Sequence, residues 1–354
     1  MRAGALLLLS LPFSIRGHTG GAMIVAGDIG GTKCSLVAFE EDGGDLRLVA
    51  RQRYATTDFP NFEEVLLHFR EDLRKQAPAS TQIRAAGFGV PGTVVEGRLY
   101  SFNLPWTVES ASLAAALNLR ARDVVLLNDL VATACGLDKL APGDFLPLKQ
   151  GIPDPQGNKA VIAAGTGLGE AVLYWDGQGH RPAPSEGGSA DFAPRDERET
   201  RLLLFLKQNL PRVSCEDIFS GRGFRKLHEF LDPTVSHSTF GEPAGASASE
   251  ITHNAIEGKC PVCVEVLDWW IDAFGAEAGN LALRVLAYGG VFLAGGIAVK
   301  ILPRLKESSF CQSFANKGPM TEILSRIPIS VMLNEDAPVL GAAYRALAVA
   351  GAAN

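Results

Sequence analysis

Two apolar runs that fold back on themselves across glycine turns constrain this chain more than any other feature. The first, Met23–Phe39 (MIVAGDIGGTKCSLVAF), reads as strand, tight turn, strand. Gly27, Gly30 and Gly31 are expected to admit positive φ there and to let the backbone pass close to a ligand. Amide N–H groups, the Thr32 hydroxyl and the Asp28 carboxylate would then point outward, with Lys33 opening the next strand. Bare amides suit phosphate oxygens, and a neighbouring carboxylate suits Mg²⁺, which takes oxygen ligands and keeps several waters. A plain hairpin without a ligand accounts for one such turn equally well. A second unit of the same design occupies Ala160–Trp175 (AVIAAGTGLGEAVLYW), with Gly165, Thr166, Gly167 and Gly169 at its turn. The repeat implies a duplicated half-domain, each half offering amides to one ligand held between them. Neither turn is a P-loop or a dinucleotide fingerprint: G-x-x-x-x-G-K-[ST] is absent, and a strand rather than a helix follows each.

The 354 residues suit two domains, and a hydrophobic content of 47% supports sizeable cores. A net charge of −6 argues against a nucleic-acid surface. Six cysteines, irregularly spread, make no disulfide framework in a chain of this length and point to a reducing compartment. Cys260 and Cys263 form a C-x-x-C, half of what zinc requires, and no second Cys/His pair at ligand spacing follows it. It is therefore read as structural or incidental.

Residues 1–21 (MRAGALLLLSLPFSIRGHTGG) have a short apolar core, too short for a membrane span. A secretory signal, a transit peptide and an upstream start codon assigned in error all account for them. Met23, which opens a strand directly, is favoured as the true start. Onward from there, Asn61 is placed to cap a helix with Phe62, Val65, Leu66, Phe69 and Leu73 on one face. Helices are expected at Ser110–Leu117, Leu130–Leu140, Asp196–Gln208, Cys215–Leu231, Ser247–Leu286 with a break near Pro261, and Ala337–Ala350. Pro- and Gly-rich sequence at 141–157 reads as the hinge between halves, and His237–Gly245 as a loop. Antiparallel strands followed by alternating strands and helices describe an open mixed α/β sheet.

Three acids and an amide carry the chemistry. The apolar strand ending in LLNDL places Asn128 and Asp129 at the carboxyl edge of a sheet, where open α/β folds put their ligands. Asp129 is there either a helix N-cap or a general base, and Asn128 beside it suits a polyol. Glu186 stands in a glycine-rich loop with Ser189 (SEGGSADFAP); it is a ligand group or part of a surface turn. Glu216 begins a helix, where Ser214 can cap and an acid answers the dipole. Together they resemble a sugar site beside an ATP site.

GDIGGTK, LLNDL, AAGTGLGEA, EGGSADFAP, FGAEAGNLAL and GGVFLAGGI follow one another in an order and spacing that resembles the bacterial glucokinase family, from Met23 to about Tyr344. The resemblance implies a sugar-kinase and actin-like ATPase fold: two ribonuclease-H-like α/β lobes around a cleft. The small lobe would span 22–140, completed by the helix at 337–354, and the large lobe 141–336. It further implies that Asp28, Gly30, Gly31, Thr32, Lys33, Gly165, Thr166, Gly167 and Gly169 hold the nucleotide phosphates and that Gly295 and Gly296 border the adenosine. Asn103, Asn128, Asp129, Glu186, Ser189 and Glu216 would bind glucose, Asp129 would act as base, and Asp28 would approach Mg²⁺ through water. A cytoplasmic homodimer using ATP and Mg²⁺, with no nucleic-acid or membrane partner, is the expectation.

One departure stands out. The family commonly has His after Glu-Gly-Gly, where this chain has Ser189. Serine keeps a hydroxyl but reaches less far, so sugar selectivity is open. The alternatives are a kinase for another hexose or amino sugar, one using polyphosphate, or a non-catalytic sugar sensor. The zinc motif of the repressor and kinase branch and an N-terminal helix-turn-helix are absent, which argues against a repressor.

Overall fold

The computed structural model describes residues 22–76, 82–101, 104–241 and 244–352; Met1–Gly21 and Asn103 lie outside them. Seven strands belong to the first half: β1 (Met23–Ile29), β2 (Lys33–Asp42), β3 (Asp45–Ala55), β4 (Ile83–Val90), β5 (Thr93–Val95), β6 (Arg98–Tyr100) and β7 (Val124–Asn128). Six belong to the second: β8 (Phe145–Lys149), β9 (Lys159–Ala164), β10 (Leu168–Trp175), β11 (His180–Ser185), β12 (Gly290–Ala294) and β13 (Ile329–Met332).

The main sheets repeat one plan. The first runs β3-β2-β1-β4-β7 and the second β11-β10-β9-β12-β13, extended at its edge by β8. In each, three consecutive strands, β1–β3 in the first and β9–β11 in the second, form an antiparallel meander. Two parallel strands are then added beside the first. The duplication inferred from two glycine turns is thus written in the topology, with each turn joining the first strand of its meander to the second. Parallel additions need crossover helices that cover the sheet, which is why β1, β4 and β12 are almost wholly apolar.

The C-terminal helix Ala337–Ala352 returns to the first sheet. Its Val339, Ala342, Ala343 and Ala346 pack on Ile24, Ala26, Val37 and Ala85. Alanines bury little area each, so this seam depends on close backbone approach and summed dispersion. A Cβ on Gly341 would lie 1.8 Å from the Ala132 carbonyl, and one on Gly87 2.1 Å from that of Ala342. The helix carrying Asp129 is therefore pinned from behind. In the second half the helix Pro261–Val285 is buried along most of its length, with Trp270 and Phe274 stacked at 4.8 Å. Its FGAEAGN run is a packing seam: Gly275 and Gly279 would bring a Cβ to 2.4 and 2.3 Å from the carbonyls of Phe310 and Phe314.

The structure departs from the sequence reading at several points. Residues 141–157 are more than a connector, because β8 within them pairs antiparallel with β13. β11 contains Pro182 and Pro184, residues that lack an N–H to donate, and it is tolerated because it lies at the sheet edge. The expected helix Cys215–Leu231 is two, Cys215–Ile218 and Gly221–Leu231, broken at Phe219 and Ser220. The stretch His237–Gly245 holds a 3₁₀ turn at Ser238–Gly241, and the next helix already starts at Ala244.

Candidate active site

Register brings the first acid pair together. In the first sheet Asp28 pairs with Gly89, and Val90, the next residue of β4, pairs with Asn128. Gly89 keeps the gap between them narrow: a Cβ there would touch Ala132 at 3.1 Å and approach the Asp129 Cα at 3.6 Å. Asp28 and Asn128–Asp129 thus end strands on the same edge of one sheet.

Asn128, not Asp129, is the helix N-cap. Its Oδ1 accepts from the amides of Leu130 at 2.9 Å and Val131 at 3.2 Å, and its Nδ2 donates to the Gly92 carbonyl at 3.1 Å. This resolves the choice left open above and frees the carboxylate of Asp129, which keeps one contact, from the Leu130 amide at 2.8 Å. It also commits most of the Asn128 amide to the protein, leaving one N–H for a ligand. Burial, and then the charges of Asp28 and Glu186, push the Asp129 carboxyl up to about 6. Burial raises Asp28 as well, against the pull of Lys33. Asp28 at the end of β1 and Glu186 in the loop after β11 thus lie within electrostatic reach of Asp129, first residue of the helix after β7.

The first glycine turn is braced from below. The Gly30 amide donates to the Lys33 carbonyl at 2.9 Å, while Thr56 Oγ1 donates to the Gly30 carbonyl at 2.8 Å. Gly31, Thr32 and Lys33 are exposed. Positive φ is not what the glycines supply: Gly27 and Gly30 do not adopt it. A Cβ on Gly27 would instead lie 2.5 Å from Leu36, so that glycine serves close packing of β1 on β2.

The second turn closes with the Gly165 amide on the Gly167 carbonyl at 2.9 Å. Gly169 is not part of it; it lies in β10, where a Cβ would meet Leu130 at 2.8 Å. Gly295 takes a φ of +84° against the Ala164 carbonyl and starts a short helix at Gly296, so this pair borders the same turn. The sequence reading missed a further neighbour. Gly221, first residue of the helix Gly221–Leu231, donates its amide to the Gly165 carbonyl at 2.8 Å. The S-G-R-G run at 220–223 was the available signal, hidden by apolar residues on both sides.

The remaining two acids face this turn and the first lobe. Glu216 Oε2 accepts from the Leu168 amide at 3.2 Å, and its Oε1 from Arg222 at 2.6 Å. Ser214 caps its helix in a reciprocal bond with Asp217. Exposed Glu186 accepts from Thr93 Oγ1 at 3.0 Å, a contact between the two halves. Its loop is fixed from beneath, since Gly188 would bring a Cβ to 2.0 Å from the Leu168 carbonyl and Gly187 to 1.8 Å from the buried Glu170 carboxylate. Ser189 is exposed, and its carbonyl accepts from Arg212, which also pairs with Asp191. A cavity of about 650 Å³ opens beside these groups; its lining includes Asn128 and Glu186 along with Cys135, Tyr344 and Arg345.

A duplicated ribonuclease-H-like fold with paired glycine turns and a carboxylate at the end of the fifth strand of the first sheet defines a two-lobed phosphotransferase of the actin-like ATPase class. The glucokinase family model matches residues 25–349. A glucokinase of Nostoc sp. strain PCC 7120 is 36% identical over 340 residues, spanning 91% of this chain and 98% of that one. The crystal structure of a glucokinase from an Antarctic psychrotroph superposes with a TM-score of 0.78 at 28% identity, over 92% of this chain and 99% of that one. A ROK family glucokinase from Streptomyces griseus, in complex with glucose and AMPPNP, shares the fold with a TM-score of 0.59 at 20% identity, over 91% and 98% of the two chains. This chain belongs to the glucokinase family, and with it to the hexokinase-type phosphotransferases. No helix among the described residues is long and apolar enough to cross a membrane.

Proposed function

We propose that this protein transfers the γ-phosphoryl group of ATP to the 6-hydroxyl of glucose, with Asp129 as general base. The observation that carries the reading is Asp129 itself: an uncapping carboxylate at the end of β7, raised to about 6 by burial and by Asp28 and Glu186. A base with that affinity is largely ionised at neutral pH and still accepts a proton as the hydroxyl attacks. The amides of the turns at 30–32 and 165–167 would stabilise charge on the phosphate oxygens, while Asn128, Glu186, Ser189 and Glu216 hold the sugar hydroxyls. Asn103 belongs to the same proposal. Gly295 and Gly296 would border the adenosine.

The half-buried carboxylates of Asp28 and Asp129 present oxygen donors of the kind Mg²⁺ takes. Asp28 would hold it through water, and the ion would neutralise charge on the transferred phosphoryl group. Glu216 and Glu186 are already engaged in part, by Arg222 and by Thr93 Oγ1, so a sugar would share or displace these contacts. The same reading includes a cytoplasmic homodimer, which light scattering in solution tests for the dimer. Steady-state phosphorylation of glucose, mannose, fructose, N-acetylglucosamine and N-acetylmannosamine with Mg·ATP tests the function. Preference for glucose supports it; activity on another sugar alone reassigns the substrate, and sugar binding without turnover makes the protein a sensor.

A further inference from the structure

Outside the cleft, four side chains with metal-ligating atoms meet in the second half. His228, His237, Cys260 and Cys263 bring one ligand atom each within 4.8 Å of all the others. We infer that these residues form a structural zinc site, a Cys₂His₂ centre that ties the helix Gly221–Leu231 and the segment after it to the long helix Pro261–Val285.

Two of the spacings are close to the edge of a tetrahedral site. Nε2 of His237 lies 3.2 Å from Cys263 Sγ and 3.7 Å from Cys260 Sγ. Zinc bonded to nitrogen at about 2.0 Å and sulfur at about 2.3 Å sets an edge of about 3.6 Å between such ligands. Asn254 approaches the other ring nitrogen of His237 at 3.4 Å, which orients Nε2 toward the thiols. Cys260 caps the long helix, its sulfur accepting the Cys263 amide at 3.2 Å, which fixes its position.

His228 supplies an independent argument. It is fully buried, yet neither of its ring nitrogens has a hydrogen-bond partner. Leaving both nitrogens of a buried imidazole unpaired is costly, whereas a metal ion would satisfy one of them. The His237 ring meets it edge-on at 5.0 Å between centroids. Two imidazoles and two thiols, four in number and all borderline or soft, select zinc over Mg²⁺ or Ca²⁺. The C-x-x-C read as structural or incidental lacked a partner pair only downstream. The histidines precede it in sequence, and the fold brings them back.

The site's position gives it a purpose. His228 is on the helix whose first amide holds the Gly165 carbonyl, so zinc would fix that helix against the second glycine turn.

The test is metal analysis of the full chain purified without a polyhistidine tag. About one zinc per chain is expected, with more than tenfold loss in Cys263→Ser and in His237→Gln. Cobalt substitution should give thiolate charge-transfer bands and the visible spectrum of a tetrahedral site. Stripping zinc with a chelator should lower the thermal midpoint, and added zinc should restore it. If the variants do not fold, protection of Cys260 and Cys263 from alkylation by added zinc in the native chain decides the matter. A folded metal-free protein that takes up no stoichiometric cobalt, or a native Cys260–Cys263 disulfide, would overturn the inference.

Discussion

Gly167 and Glu216 touch across the cleft floor: a Cβ on Gly167 would lie 2.5 Å from Glu216 Oε2. The glycine turn assigned to phosphate and the acid assigned to sugar therefore share one contact. Gly167→Ala would push the carboxylate aside while leaving buried backbone untouched. Steady-state kinetics should show kcat/KM reduced on the order of 10- to 100-fold, with a thermal midpoint close to the parent. Unchanged kinetics would separate the two sites.

Asn128 caps its helix through Oδ1 and leaves one Nδ2 hydrogen for the sugar contact proposed above. Asn128→Ala removes the cap and leaves the Gly92 carbonyl without its donor, at a cost of about 1–2 kcal/mol in chemical denaturation. Asn128→Ser keeps an oxygen that can cap the helix and loses the donor to the Gly92 carbonyl. It should restore the cap's share of that stability while the KM for sugar stays raised. Equal stability losses in both variants would contradict the cap assignment.

The raised affinity of Asp129 for its proton has a defined consequence for stability. Its carboxyl moves from 3.8 to about 6 on folding, so the folded state holds the proton more tightly than the unfolded one. Stability is thus lost as pH rises through that window, and above it a buried charge remains. Asp129→Asn should be more stable than the parent by about 2 kcal/mol at neutral pH, and by much less at pH near 4. Denaturation at the two pH values checks both sign and window.

Glu170 behaves the same way beneath the loop of Glu186. Burial, and then Glu277, raise it from 4.5 to about 7, with Arg284 opposing. Stability should again fall as pH rises between those values. Glu170→Gln should flatten this dependence and raise the thermal midpoint at pH 8 by on the order of 2 °C. A pH profile identical to the parent would show that Glu170 does not titrate there.

What the sequence disclosed follows from how local the signal is. Glycine turns between apolar strands, the LLND strand end and the Phe62–Leu73 stripe are read from neighbouring residues, and the structure returns each of them. The cap went to Asn128 because the residue that ends the strand keeps an extended backbone, which a cap needs and a helical Asp129 cannot supply. β8 and β11 were missed since proline hides a strand that sheet-edge position permits. The histidine–cysteine cluster was invisible for another reason: its pairs stand more than twenty residues apart, and only tertiary packing joins them.

The most direct test of the account is turnover by Asp129→Asn with glucose and Mg·ATP, alongside calorimetric binding of glucose to the same variant. Loss of phosphorylation by a factor of about 10² or more, with glucose still bound, is the expected result for removal of a general base. In the parent, kcat/KM should fall with decreasing pH below about 6. Near-normal turnover by Asp129→Asn would contradict the assignment of Asp129 as the base.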